Sequence, residues 1–360
     1  MSGTGMRGVG GTSPTGAGTG DAVGTGGTGW TVRRWTRLSQ LWSGAFGLLL
    51  VALALVPLAL PAATVQQLTS LLVLVLLAVM WNTLAGYGGM VSIGQQAYLG
   101  LGAYGTVYLT QHGVPPYPSM LLAALAAGVV ALPLSLLVLR LRGGRFAIGT
   151  WVVAETLALV VALDQSLGGG TGTSLRGLNV YAPQQRRELT YWLALGFTAA
   201  LLGAVFALLR SRRGAALQAI RDDEEAAGSL GVLVRGNQRL LYVLAALGCG
   251  AAGSLTLANT LFVQPTSIFG VQWSAYMIFM VLVGGIGTFE GPIVGAVLFF
   301  LLQQHFADQG AWYLIGLGAT AVLFALLLPQ GLWGLVEHRL GRPLLPLGQR
   351  LEQRRDGEQT

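Results

Sequence analysis

Apolar runs recur along the chain near residues 45–62, 67–84, 91–110, 119–139, 146–163, 191–209, 240–262, 272–288, 291–306 and 312–328. Most approach the roughly 20 residues that a helix needs to cross a bilayer. The pattern predicts an all-α, polytopic integral membrane protein with about eight to ten transmembrane helices. The least regular runs are 91–110, which glycines interrupt, and the two after 272, which share a short Gly-rich hinge. The run at 45–62 resembles a signal peptide, down to Leu60-Pro61-Ala62-Ala63. The segment before it is far longer than a normal n-region, so a retained first helix is the better reading. Residues 1–29 are mostly Gly, Thr and Ser and cannot bury enough surface to offset ordering entropy. The expected organisation is a disordered Gly/Thr-rich tail over 1–40, a transmembrane domain over 41–330 and a tail over 331–360.

Composition sharpens this picture. Hydrophobic residues make up 53% of the 360 and charged residues 10%, against roughly 25% charged in a soluble domain. Such a chain cannot cover a water-facing surface, which excludes a soluble enzyme. All 21 basic residues are arginine. Without lysine there is no P-loop ATPase site and no Schiff-base chemistry. A single cysteine, Cys249, allows no internal disulfide, and His112, His305 and His338 have no metal-ligand spacing. No cofactor or metal is expected on this chain.

The net charge of +7 has to be located before it is interpreted. With the N-terminus in the cytoplasm and ten alternating spans, 18 of the 21 arginines fall in cytoplasmic segments. Only Arg176, Arg186 and Arg187 fall outside. The positive-inside rule favours that orientation, with both termini cytoplasmic in a cell membrane. The charge therefore reflects topology and attraction to anionic lipid, not nucleic-acid binding. The longest loops are 164–190 outside and 210–239 inside.

Several segments carry candidate chemistry. Gly86-Tyr87-Gly88-Gly89 leads into Ser92, Gln95 and Gln96 at membrane depth. Irregular backbone there must be buried in protein or line a wet cavity. One reading is a substrate path; the other is close helix packing with the glutamines bonded to neighbouring helices. Gly100–Gly105 and Gly248–Gly253 fit GxGxxG but lack a strand–helix context, so helix contact is the better account. Glu155 is the one acid well inside a predicted span, a costly placement. It can make a structural or gating hydrogen bond to another helix, touch substrate, or relay a proton. The glycine run 168–172 is either a receiving surface for a delivering protein or a solvated loop.

In the inside loop, Asp222 and Asp223 can begin a short helix with acids in its first turn. Ala226, Ala227 and Leu230 then form a small apolar face, and Gly231 can end the helix. It reads as a docking helix, a solvated loop or an interface-lying helix. Gln238, further on, reads as solvated.

Four ordered motifs together resemble the permease subunits of branched-chain amino-acid ABC importers of the LivM type. Asn82 to Gly89 with Ser92-Ile93-Gly94 is similar to that family's Gly-Tyr-x-Gly…Ser-Leu-Gly segment. Phe146–Asp164 with Glu155, then Gly170-Thr171-Gly172, resembles its glutamate-bearing span and following Thr-Gly-Gly turn. Ala219–Glu224 with Ala226, Ala227, Leu230 and Gly231 resembles its ATPase-facing loop. Val283–Thr288 with Gly291-Pro292 resembles its glycine hinge. Glu225 stands where an apolar residue is usual, Gly228 where a helix former is usual, and Thr173 where a second glycine is usual.

The resemblance implies a permease of an ATP-driven importer for branched-chain or related hydrophobic amino acids. It implies a second permease subunit, two ABC ATPase subunits that hydrolyse ATP, and an extracytoplasmic solute-binding protein. Gly86, Tyr87, Ser92, Gln95, Gln96 and Glu155 become substrate-path candidates. Arg221, Asp222, Glu224, Ala226, Ala227 and Gly231 become ATPase-coupling candidates, and Gly284, Gly285 and Gly287 the hinge. The rival class is a proton-coupled secondary transporter with Glu155 as carrier.

The arginine distribution makes one direct prediction. In a Cys249→Ala background, cysteines placed at Ser211 and Gln353 resist membrane-impermeant reagents in intact cells and react after permeabilisation. External labelling of either position overturns the orientation.

Overall fold

The computed structural model describes residues 30–33, 37–306, 310–328, 330–340 and 350–353. Most of the expected N-terminal tail and the end of the C-terminal tail lie outside the described residues. The chain begins with β1 (Trp30–Arg33), α1 (Arg37–Ala59), α2 (Ala62–Asn82), α3 (Gln96–Gln111), α4 (Pro116–Val138) and α5 (Gly144–Leu163). A short strand β2 (Thr173–Ser174) precedes α6 (Pro183–Arg210), α7 (Arg212–Asp222), α8 (Glu224–Ser229) and α9 (Val234–Thr260). The rest is β3 (Phe262–Val263), α10 (Pro265–Ile268), α11 (Gln272–Gly284), α12 (Gly291–Phe306), α13 (Ala311–Leu327), α14 (Gly331–Leu340) and β4 (Arg350–Gln353). The contacts divide it into two units. One holds the antiparallel pair of β1 with β4; the other spans Trp35–Gly348 and holds all the helices.

Each of the ten apolar runs falls on a helix, but they are not equally long. Among the described residues seven stretches are long and apolar enough to cross a membrane. They are Ala62–Tyr87, Pro116–Val138, Gly144–Leu163, Pro183–Arg210, Val234–Thr260, Pro265–Gly284 and Ile315–Arg339. α3 and α12 have 16 residues each, or about 24 Å of rise against the ~30 Å of hydrocarbon. Proline begins α4, α6 and α10, where its missing N–H costs nothing.

α2 and α9 form the centre. In α2, 83% of the most apolar window is buried inside the chain, against 22% in α5. α9 packs on α4, α3, α2 and α6, and α2 also packs on α6, α11 and α12. Helices in lipid gain little from apolar burial against one another, so close packing has to hold them together. Glycine supplies it. A Cβ on Gly253 would lie 3.0 Å from Leu99 Cα, nearer still to the Leu99 carbonyl, and one on Gly102 would lie 2.7 Å from Gly250 Cα. The two GxGxxG stretches are therefore where α3 and α9 touch backbone to backbone.

A side chain at Gly253 must separate α3 from α9. We expect Gly253→Leu to lower the thermal midpoint of the purified protein by several degrees, for a loss of about 1–3 kcal/mol from overpacking. Gly203→Leu has nothing within 4 Å of the new Cβ and serves as the control. Equal midpoints for both variants would show that this contact does not hold the bundle.

Candidate functional site

α2 ends in a wide π-type turn over Thr83–Tyr87, and the chain then runs without helix until Gln95. A non-helical stretch at membrane depth leaves backbone groups that lipid cannot satisfy. Protein satisfies several of them here. Trp81 Nε1 donates to Ser92 O at 2.9 Å, and the Met90 amide donates to Leu84 O at 3.0 Å. The Ile93 amide donates to Thr150 Oγ1 of α5 at 3.2 Å, and the Gly94 amide to Ser92 Oγ at 3.2 Å.

The polar side chains of this break are fully enclosed. Ser92, Gln95 and Gln96 are buried. Gln95 Oε1 accepts from Cys249 Sγ of α9 at 3.4 Å, and Gln96 Oε1 accepts from Ser274 Oγ of α11. Both glutamines therefore bond to neighbouring helices through their carbonyl oxygens. Gln96 Nε2 is buried with no hydrogen-bond partner.

The hinge between α11 and α12 packs on the same break. Gly284, Gly285 and Gly287 lie at the end of α11 and in the turn after it. A Cβ on Gly284 would overlap the Gly291 backbone of α12. Asn82 grips the turn from α2: its Nδ2 donates to Thr288 O at 2.8 Å, and its Oδ1 accepts from the Gly287 amide at 2.9 Å. Gly86 packs into the same contact, where a Cβ would lie 2.7 Å from the Gly287 nitrogen. Along the sequence Asn82 stands out only as part of a motif. Its one independent signal is a lone amide at the end of an apolar run.

Arg221, at the end of α7, reaches this assembly from the loop. Gly287 has φ +78°, and a Cβ there would lie 3.0 Å from the Arg221 guanidinium carbon. On the other side, a Cβ on Gly89 would lie 3.7 Å from Arg221 Cα. One loop residue thus sits between the α2 break and the hinge.

The rest of the loop departs from expectation in detail. Asp222 does not begin the short helix; it is the last residue of α7. Asp223 alone caps α8, accepting from the Glu225 and Ala226 amides at 2.9 and 3.0 Å, with Glu224 and Glu225 in the first turn. Gly231 follows with φ +84°, and its amide donates to Gly228 O at 3.0 Å. Ala227 is 2% exposed within this chain alone, whereas Ala226 is exposed and Leu230 is 84% exposed. An i, i+1 pair cannot share one narrow face, so the expected Ala226–Ala227–Leu230 face divides. Gln238, expected to be solvated, is buried on α9. Glu224 and Glu225 pair with Arg142 of the α4–α5 loop at 3.2 and 3.4 Å, which accounts for a charge where the resemblance expects an apolar residue.

Glu155 stands apart from this assembly. It is exposed on α5 in line with Ile148, Val152 and Leu159, all exposed. These positions recur at helical spacing, so they form one outward stripe. Its hydrogen bond comes from its own helix: Trp151 Nε1 donates to Glu155 Oε1 at 3.0 Å. The expected bond to a second helix is not the one formed.

On the opposite loop, Gly172 has φ +87°, and β2 pairs with β3 (Thr173 with Val263). Gln264 Nε2 donates to Thr171 O at 3.3 Å. The glycine turn is thus tied to the end of α9, and backbone pairing at Thr173 needs no second glycine. Asp164 accepts from the Ser166 hydroxyl at 2.6 Å and amide at 2.9 Å, which holds its carboxyl below the usual range. Among the described residues no three His, Cys, Asp or Glu cluster as metal ligands.

A helical bundle of membrane-spanning length, with a protein-satisfied break and a loop arginine set against a glycine turn, is that of a polytopic membrane permease by the family it matches. The chain belongs to the family described as the permease component of the branched-chain amino acid transport system, which matches residues 63–330. It is 28% identical over 317 residues to the high-affinity branched-chain amino acid transport system permease protein LivM of Escherichia coli, covering 79% of this chain and 74% of that protein. The LivM protein of Salmonella typhimurium is also 28% identical, over 316 residues and the same shares. No solved structure matches the chain.

If Arg221 and Gly287 act as one contact, their substitutions are not independent. Gly287→Ala adds both a strained φ and an overlap with the guanidinium, so it should lower the thermal midpoint and transport together. Arg221→Ala should remove the overlap, and the double variant should lose less than the two single losses added. Strictly additive losses would separate the residues.

Proposed function

We propose that this chain is one permease of an ATP-driven importer for branched-chain or related hydrophobic amino acids. A second permease subunit, two ABC ATPases and an extracytoplasmic solute-binding protein complete the machine. It resides in the cell membrane with both termini and the 210–239 loop cytoplasmic. The observation that carries the reading is Glu155, set on an outward stripe of a transmembrane helix in a chain of this family. From Gly144 to Glu155 the helix rises about 16 Å, and from Glu155 to Leu163 about 12 Å. A carboxylate near mid-span facing hydrocarbon costs about 3 kcal/mol or more. Protein or water covers it at far lower cost. The stripe therefore faces the second permease across the translocation path, and the Trp151 bond holds the carboxylate in one rotamer.

ATPase closure enters through α7 and α8. Leu230 and Leu233 are 84% and 80% exposed at the end of that loop. They suit a partner groove. Arg221 then passes the displacement to Gly89 and Gly287. Ala227 is a support inside the loop, so a bulky residue there would break the loop before it tests docking.

Reconstituted with the second permease, its ATPases and the binding protein, the chain should support ATP-dependent leucine uptake that an uncoupler leaves intact. Uptake driven by a proton gradient without ATP would instead establish the secondary transporter. Glu155→Gln should keep most of the uptake and Glu155→Leu should lose about tenfold or more, given the 1–3 kcal/mol that an unmatched buried polar surface costs. Wild-type uptake in Glu155→Leu would mean that the stripe faces lipid. Leu230→Asp with Leu233→Asp should reduce co-purification of the ATPases without lowering membrane insertion, and unchanged co-purification would move the docking surface elsewhere.

A further inference from the structure

Two neighbouring grooves open beside α7 and α9, the first against α4 and the second against α6. The first, about 580 Å³, has Leu132, Leu240 and Val243 in its walls and Arg213 and Arg239 at its rim. The second, about 620 Å³, has Ala204, Leu208 and Leu244 in its walls and Arg212 and Arg213 at its rim. Leu240 and Arg213 belong to both. Leu240 and Leu244 lie six and ten residues into α9, so the apolar part runs from the helix end to about 15 Å along it. Arg212 and Arg213 begin α7, Arg239 lies on α9 beside Leu240, and Leu244 lies one turn deeper.

Among the described residues, no acidic side chain forms an ion pair with Arg212, Arg213 or Arg239. The Arg239 Nε is buried with no hydrogen-bond partner. A guanidinium donor held out of water without an acceptor is costly and is relieved by an anion. An apolar trough at hydrocarbon depth, headed by uncompensated guanidinium groups at headgroup depth, has the two-part chemistry of one ligand.

We propose that these grooves hold an anionic phospholipid of the surrounding leaflet, its acyl chains along Leu240 and Leu244 and its phosphate on Arg213 and Arg239. The first groove also takes Val232 and Leu233 of the cytoplasmic loop into its lining, so the proposal rests on the fold of that loop but not on the transport cycle running as proposed. Basic pockets between transmembrane helices recognise such headgroups, and each arginine near the surface contributes roughly fivefold in affinity. Arg213 bridges the two troughs, so one headgroup can place its chains in both.

The test uses the full chain, with whatever subunits accompany it from the membrane, in nanodiscs of equal phosphatidylglycerol and phosphatidylcholine. Lipids retained after detergent extraction are counted by native mass spectrometry. The expected result is retained phosphatidylglycerol in clear excess, reduced about fivefold by Arg213→Gln and again by Arg239→Gln. Leu240→Trp, which fills the trough and keeps every charge, should also reduce it, and this variant carries the test if the arginine variants fail to fold. Equal retention of both lipids, or no change in any variant, overturns the proposal. So does equal thermal stabilisation by inorganic phosphate alone, which would make the site one for a soluble anion. Phosphatidylglycerol excluded from the grooves by an accompanying subunit also overturns it.

Discussion

Hydrocarbon offers no hydrogen-bond partner, and this chain breaks its helical backbone at membrane depth between Tyr87 and Gln95. Everything near that break follows from the need to replace the missing partners. α2 contributes the Trp81 indole, α5 the Thr150 hydroxyl, and α9 and α11 enclose the glutamines. These bonds cross between helices, so they set the arrangement of the helices as well as satisfying the backbone. Glycine lets the helices come near enough for this: α3 and α9 touch through Gly102, Gly250 and Gly253.

A break supported by four helices also feels displacement of any of them. The hinge turn between α11 and α12 hangs on both hydrogen-bonding atoms of Asn82, and the Arg221 guanidinium lies against Gly287 in that same turn. A rigid rotation of α7 cannot leave Arg221 in place without opening a gap at Gly89 or overlapping Gly287. Packed interiors respond to such shifts by changing arrangement, since they yield little under compression. Arg221 is thus a point where a surface loop meets both the α2 break and the α11–α12 turn.

The helical architecture was legible because twenty-residue apolar runs have no soluble alternative, and each run falls at least in part on a helix. Span count was less legible. Glycine hides where a helix ends, and α3 and α12 proved shorter than a bilayer is thick. The glutamines at 95 and 96 could be read as path or as packing, because sequence shows polarity at depth but not what encloses it. The loop was misread locally for a definable reason. Asp222 and Asp223 are equivalent as caps on paper, but Asp223 alone adopts the extended backbone, φ −156° and ψ 109°, that a cap residue needs. That one-residue shift rotates Ala227 inward. The wedge of Arg221 between two glycines far away in sequence had no local signal.

Glu155 follows the opposite logic from the buried glutamines. The carbonyl oxygens of both glutamines are bonded inside the chain, to Cys249 and Ser274. Glu155 makes its bond to a tryptophan on the same helix and leaves the rest of its carboxylate facing outward among Ile148, Val152 and Leu159. A tryptophan N–H satisfies one lone pair of a carboxylate that has about four acceptor sites. Among the described residues no second donor reaches the remaining sites. Under the proposed pairing, donors for those sites come from the second permease or from water held between the two. The requirement arises from the chemistry of one side chain, and the proposed second permease is what would meet it.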